Sequence, residues 1–248
     1  LKALGYDGVE FAGFYGHSAQ DVRAMLEECG LRAVSSHVAL KLIEADMQGV
    51  IDYHKAIGCD YIAVPYLSAE QRPGTPAFAG VLRTIYQFGC LCRDNGIQLL
   101  YHNHDFEFVS FSGMYALDFL YAAMPEDVLK TEIDVCWVKY AGEDPAAYLR
   151  KYAGRAPVVH LKDFVGRKEG DAAPYGLLGQ SETKAAGEVP FEFRPVGYGC
   201  QDVSAVAEAG LDAGAKWFVV EQDASVGRTP LEAAAMSIDT LRKIGLKG

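Results

Sequence analysis

Uninterrupted apolar runs stay short throughout this 248-residue chain, so a membrane-spanning helix, which needs roughly 18 or more such residues, is excluded. Basic residues are scarce: 23 Lys and Arg stand against 33 Asp and Glu, a formal charge of −10. So acidic a surface repels phosphate backbones and anionic bilayers, which argues against nucleic acid and membrane as partners. No CxxC pair occurs, and Cys90/Cys92 is a CxC, the wrong spacing for a zinc clip. A GxGxxG turn is missing as well: Gly197 and Gly199 lack a third glycine and open no strand–helix turn. There is no Walker loop either, so a nucleotide-binding sheet is disfavoured.

The six cysteines are Cys29, Cys59, Cys90, Cys92, Cys136 and Cys200, and four of them sit among apolar neighbours. They read as buried free thiols in a reducing compartment, and a cytoplasmic location is expected. The chain starts at Leu1 and reads as a piece cut from a longer protein, which leaves room for a signal peptide upstream. With 50% hydrophobic residues it is not a disordered chain. Its length suits one large domain, expected to span residues 1–248.

Seven short β-rich apolar runs recur: Gly8–Ala12, Leu31–His37, Tyr61–Tyr66, Ile97–His102, Leu129–Asp134, Val158–Lys162 and Trp217–Glu221. Several are nearly continuously hydrophobic, as parallel strands buried on both faces must be. Helical spacing fills the intervals, at 18–30 and near 44–57, 75–95, 114–124, 144–153, 201–214 and 230–244. Ser18 and Asp21 form a capping-box variant, Gly30 stops that helix, and Val22, Met25, Leu26 and Cys29 make its apolar stripe. Asp144-Pro145 and Thr229-Pro230 are cap-plus-proline helix starts. Strict β/α alternation over this length predicts an α/β fold, a (β/α)8 TIM barrel. Leu1–Leu4 reads as a helix tail and only seven strands follow, so the first barrel strand is expected to be missing from this sequence. The stretch 164–198 is expected to be a long irregular loop on the catalytic rim.

In such a barrel the C-terminal strand ends carry the chemistry, and residues i and i+2 share a face. His102 and His104, Glu132 and Asp134, His160 and Lys162, and Glu221 and Asp223 form such pairs, with Glu10 and His37 on the earlier strands. Each group taken alone has an ordinary structural explanation. Repetition at six equivalent strand ends points instead to a mouth lined with imidazoles and carboxylates, suited to a divalent cation.

These residues also carry a resemblance. Tyr101–Phe108 (YHNHDFEF), Glu132-Ile-Asp134 with Trp137, Ala141–Pro145 (AGEDP), His160–Asp163 (HLKD) and Val220–Asp223 (VEQD) resemble the sugar phosphate isomerase/epimerase family of the xylose isomerase-like barrels. That superfamily also contains AP endonucleases and inosose dehydratases. The resemblance implies one divalent metal held by four side chains, commonly Glu, Asp, His and Glu. The last three fall on Asp134, His160 and Glu221, and the first falls on His102. A histidine there is a departure that removes one negative charge, and Mn²⁺ becomes the expected ion, with Zn²⁺, Co²⁺ or Mg²⁺ as alternatives.

The implied reaction is isomerisation or epimerisation of a sugar or oxo-sugar through an enediolate, with a base moving the proton next to the carbonyl. Glu221 and His104 are the expected proton carriers, Lys162 assists the developing charge, and Glu107 is the reserve. His37, Glu10 and Trp137 are expected to contact the substrate. A dehydratase or lyase on an oxo-sugar or inosose shares the first step and stays open, as does a non-catalytic sugar-binding barrel. An abasic-site endonuclease conflicts with the negative charge. The expected partner is a small carbohydrate, and a homo-oligomer is open. Arg167, Lys168 and Arg194 read as solvated loop charges, so a non-phosphorylated substrate is favoured.

Overall fold

The computed structural model describes residues 1–166 and 190–246. All seven apolar runs form strands of one parallel sheet. They are β1 (Gly8–Phe11), β2 (Arg32–His37), β3 (Tyr61–Val64), β4 (Gln98–His102), β7 (Lys130–Asp134), β8 (Val158–Leu161) and β11 (Trp217–Val220), in that order across the sheet. Between them lie a short hairpin, β5 (Ser110–Phe111) and β6 (Met114–Tyr115), and an antiparallel pair, β9 (Asp163–Val165) and β10 (Glu192–Arg194).

The sheet is curled, and side-chain contacts show how far. Neighbouring strands stand about 4.8 Å apart, so in a flat sheet β2 and β7 would be about 14 Å apart and β1 and β8 about 24 Å. Yet Ser35 Oγ lies 3.4 Å from Glu132 Oε1, and His160 Nε2 lies 2.9 Å from Glu10 Oε1. The polar side chains of β1, β2, β7 and β8 therefore meet inside one barrel. The edge strands β1 and β11 are not paired with each other among the described residues. A cavity of about 440 Å³ occupies the seam between them, lined by both strands and reaching Glu10, His37 and Glu221.

The helices are α1 (Ala19–Cys29), α2 (Leu40–Ala45), α3 (Met47–Ile57), α4 (Phe78–Asp94), α5 (Ala116–Ala122), α6 (Val135–Tyr140), α7 (Pro145–Lys151), α8 (Val203–Asp212) and α9 (Pro230–Lys243). The capping box on α1 forms: Ser18 Oγ accepts from Asp21 N, and Asp21 accepts from Ser18 N. Its predicted stripe is only partly inward, since Val22 is buried while Met25 and Cys29 are exposed. The single helix expected near 44–57 is two, because Asp46 leaves helical geometry and accepts a bond from Gly49 N to start α3 afresh. The expected helix tail at the start is a short 3-10 helix, Lys2–Leu4, ended by Gly5 at φ +102°. The core lies between sheet and helices, with Ile62, Leu99, Ile133 and Val159 packed against Ile51, Ile85, Phe88 and Leu117.

The expected irregular loop at 164–198 is partly regular. Phe164 and Val165 of β9 pair with Phe193 and Glu192 of β10. Asp163 then gathers the returning chain: its two oxygens accept from the backbone N–H groups of Phe164, Gly197, Gly199 and Gln201. Any Cβ at Gly199 would meet Asp163 Oδ1 at 2.1 Å, so only glycine lets the chain come this close. Arg167 and Lys168 lie outside the described residues. Arg194 pairs with Glu192 at 2.8 Å.

Candidate metal centre

Four strand ends deliver four donors to one point. His102 ends β4, Asp134 ends β7, His160 lies in β8 and Glu221 follows β11. One donor atom from each lies within 4.8 Å of all the others. His102 Nε2 is 3.3 Å from Asp134 Oδ2 and 3.6 Å from Glu221 Oε2, and His160 Nδ1 is 2.9 Å from Glu221 Oε2. Asp134 does two jobs. Its Oδ1 caps α6 by accepting from Cys136 N at 2.8 Å, which aims Oδ2 into the centre. Asn103 ties the two strand ends together: its Oδ1 accepts from Asp134 N, and its Nδ2 donates to Asp134 O.

Two observations show that the residues fit a cation. His102 Nε2 and Asp134 Oδ2 are buried and have no hydrogen-bond partner of acceptable geometry, although they face each other. Two carboxylates and two imidazoles also match the donor preferences of a first-row divalent ion. The charges are arranged around the same point. Burial opposes a cation on His102, but Asp134 and Glu221 outweigh it and push its pKa up to about 9. Burial likewise opposes the Glu221 anion, and Lys162 and His160 outweigh it, holding its pKa well below the ordinary range. Lys162 Nζ lies 3.1 Å from Glu221 and 2.9 Å from Asp223, and these carboxylates with Asp134 keep it cationic despite complete burial.

His104 lies just beyond β4, its ring 5.0 Å from that of His102. It stacks on Phe106 and Trp137 and meets Tyr66 edge-on. Burial in this aromatic cage, with His102 and Lys162 close by, pushes its pKa well below the usual imidazole range, so the ring is neutral at pH 7. Trp137 is part of the cage and also stands under the Lys162 ammonium, 5.2 Å from its centroid. It reaches the site from α6, a helix the sequence reading lacked.

The placement of Glu107 differs from expectation, and one grouping is new. Glu107 does not face the mouth: it is fully buried, and its oxygens accept from Tyr101 Oη at 2.6 Å and His104 N at 2.9 Å. It buttresses the loop that carries His104, and burial, partly offset by those bonds, lifts its pKa to about 7. Glu10 and His37 sit below the His102–Glu221 centre, grouped with Glu132 and His160. Glu132, singled out at a strand end, has no role of its own in the sequence reading. The i, i+2 rule placed it on the same face as Asp134, but neighbouring lysines offered an ordinary partner. In the structure it accepts from His37 Nε2 at 2.9 Å.

The sequence profile of one family, described as xylose isomerase-like TIM barrel, matches residues 1–244. The chain belongs to that family. Solved structures agree on the fold. A sugar phosphate isomerase/epimerase from Parabacteroides distasonis ATCC 8503 superposes with a TM-score of 0.76 at 20% identity, over 97% of this chain and 85% of the other. A xylose isomerase-like TIM barrel protein from Mycobacterium smegmatis, in complex with magnesium, gives 0.69 at 16% identity over 98% and 85% of the two chains. The IOLI protein with a bound zinc atom gives 0.68 at 15% identity over 96% and 88%. No curated protein matches. Among the described residues, no helix of this xylose isomerase-like barrel is long and apolar enough to cross a membrane.

Proposed function

We propose that this family member is a divalent-metal-dependent sugar isomerase or epimerase acting through an enediolate. The observation that carries the reading is the convergence of His102, Asp134, His160 and Glu221, with two buried donor atoms left without hydrogen bonds. Mn²⁺ is the ion proposed, and the magnesium and zinc in two structural neighbours support a divalent ion in this fold. A bound divalent ion would stabilise charge developing on the substrate carbonyl oxygen.

The chain's own residues supply the rest. Glu221 Oε2 borders both the centre and the Lys162 ammonium, so it can take a proton from the carbon beside the carbonyl. His104, neutral in its aromatic cage, can accept or return a proton on the neighbouring side. The Lys162 ammonium offers a fixed positive charge to a substrate oxygen. Trp137, expected against the substrate, is instead fully buried between His104 and Phe191 and backs the His104 ring, which leaves half-buried Phe106 to meet the apolar C–H face of a sugar. A small carbohydrate is the proposed substrate.

One feature favours the dehydratase alternative. Burial raises the pKa of Asp223, although Lys162 pulls the other way, and a carboxyl that takes up a proton more readily than usual beside the site would suit a departing hydroxyl. Incubation of the Mn²⁺-loaded protein with a panel of ketoses and oxo-sugars in D₂O tests both readings. Solvent deuterium on the carbon next to the carbonyl is expected for at least one substrate, and it should vanish in Glu221→Gln. Loss of water together with exchange would select the dehydratase. No exchange with any member of the panel would leave a sugar-binding barrel without catalysis.

A further inference from the structure

Below the first centre lies a second convergence. Glu10 comes from β1, His37 ends β2, Glu132 lies in β7 and His160 in β8, and one donor atom from each falls within 4.8 Å of the others. Glu132 sits two residues before Asp134, about 6.6 Å deeper in the barrel. We propose that Glu10, His37 and Glu132, together with Nε2 of His160, form a second divalent-cation site of zinc size.

The distances set the size of the ion. A tetrahedral zinc with ligand bonds of about 2.1 Å has donors about 3.4 Å apart. Here His37 Nε2 is 3.2 Å from Glu10 Oε1 and 2.9 Å from Glu132 Oε2. His160 Nε2 is 2.9 Å from Glu10 Oε1 and 3.5 Å from Glu132 Oε2. These four edges bracket the tetrahedral value and are too short for a calcium cage with its longer bonds.

The competing account is a closed network of hydrogen-bonded ion pairs, and it leaves polar atoms of the group unpartnered. One His37 Nε2–H points at one acceptor, yet that nitrogen lies within reach of two carboxylates. His160 Nε2 lies 2.9 Å from Glu10 Oε1 without an aligned hydrogen bond. Glu10 Oε2 is buried and receives no hydrogen bond. The two carboxylates are 8% and 0% exposed, and among the described residues neither forms an ion pair with a Lys or Arg. Two buried anions need a compensating charge. Burial opposes a cation on His160, but Glu10, Glu132 and Glu221 outweigh it and raise its pKa, so with no ion bound its imidazolium supplies part of that charge, and a divalent cation would take its place.

His160 faces both centres, with Nδ1 towards Glu221 and Nε2 towards Glu10, so with both filled it bridges them as an imidazolate, its last ring proton released to solvent. Glu10 and Glu132 belong to the second group alone, while His37 also lies within 4.8 Å of donor atoms of His102 and His160, and three protein ligands are what zinc uses when it keeps an open position. The seam cavity of about 440 Å³ is lined by both Glu10 and His37 and gives an ion a way in.

The test is zinc stoichiometry of the whole chain, stripped with a chelator, reloaded with Zn²⁺, desalted and measured by elemental analysis with calorimetric titration. The wild type should hold two equivalents. The Glu10→Gln/His37→Gln double variant should hold one, and Asp134→Asn should also hold one, so each centre is counted separately. If the double variant fails to fold, judged by circular dichroism, the two single variants serve, since both side chains border the cavity. The proposal is overturned if the wild type saturates at one equivalent that Asp134→Asn abolishes, or if the Glu10/His37 variants retain two. A single equivalent lost in the Glu10/His37 variants but kept in Asp134→Asn would support this site and overturn the first centre.

Discussion

Asp134→Asn isolates what the metal centre contributes, because the structure splits the two oxygens of Asp134 between separate tasks. Oδ1 caps α6 at 2.8 Å from Cys136 N, and Oδ2 faces His102 without a hydrogen bond. Asparagine caps a helix about as well as aspartate, so α6 should keep its start, whereas Asp134→Ala should cost about 1 kcal/mol from the cap alone. Losing the charged donor should weaken Mn²⁺ at least about 100-fold, since even outer-shell changes at metal centres cost about 10–100-fold. A 100-fold loss is about 2.7 kcal/mol of metal-linked stabilisation at saturation. The thermal shift on adding Mn²⁺ should shrink by roughly 5–10 °C for a chain of this length. The Lys162 ammonium, 3.7 Å from Oδ2, keeps Glu221 and Asp223, so the metal-free fold should survive. Calorimetry with Mn²⁺ and thermal unfolding with and without it are the assays. An asparagine variant with wild-type Mn²⁺ affinity would refute the assignment.

His104→Gln should keep its Mn²⁺ and lose turnover by at least about 10²-fold, read as kcat on whichever substrate shows deuterium exchange; unchanged kcat would remove His104 from the proton path. Glu107, whose pKa rises from 4.5 to about 7, should leave a pH signature in stability. Between those values the unfolded chain releases its proton while the folded protein holds it, so the contribution present below pH 4.5 is lost as pH rises towards 7. The stability difference between wild type and Glu107→Gln should move against the wild type by about 3 kcal/mol across that window, and a pH-independent difference in urea unfolding would contradict the buried titration. Gly89→Ala on α4 would place a Cβ 2.5 Å from Val128 O and 2.6 Å from Val128 Cγ1. Overpacking of about 1–3 kcal/mol should exceed alanine's helix advantage of up to about 1 kcal/mol, so the urea midpoint should fall; a rise would mean that α4 and Val128 move apart to admit the methyl group.

Much of this architecture is legible in the sequence because its physical causes are local. A strand buried on both faces must be spelled in apolar residues, so the strands appear as runs such as Tyr61–Val64 and Val158–Leu161. The period of two along each strand then places His102, Asp134, His160 and Glu221 at equivalent ends. Helix starts are equally local, and the cap residues Ser18, Asp144 and Thr229 all work as read. Other elements turn on a neighbour the sequence does not name. α6 was missed because its cap, Asp134, is also a strand end. Glu107 turns inward because Tyr101 and the His104 amide wait there to donate to it.

The grouping of Glu10, His37, Glu132 and His160 belongs to tertiary structure alone. His37 and Glu132 are 95 residues apart, and three strand spacings would separate them in a flat sheet. The curl of the sheet brings them to 2.9 Å. That curl comes from strand twist summed over seven strands and from helices packed on the outer face, and no single stretch of sequence encodes it.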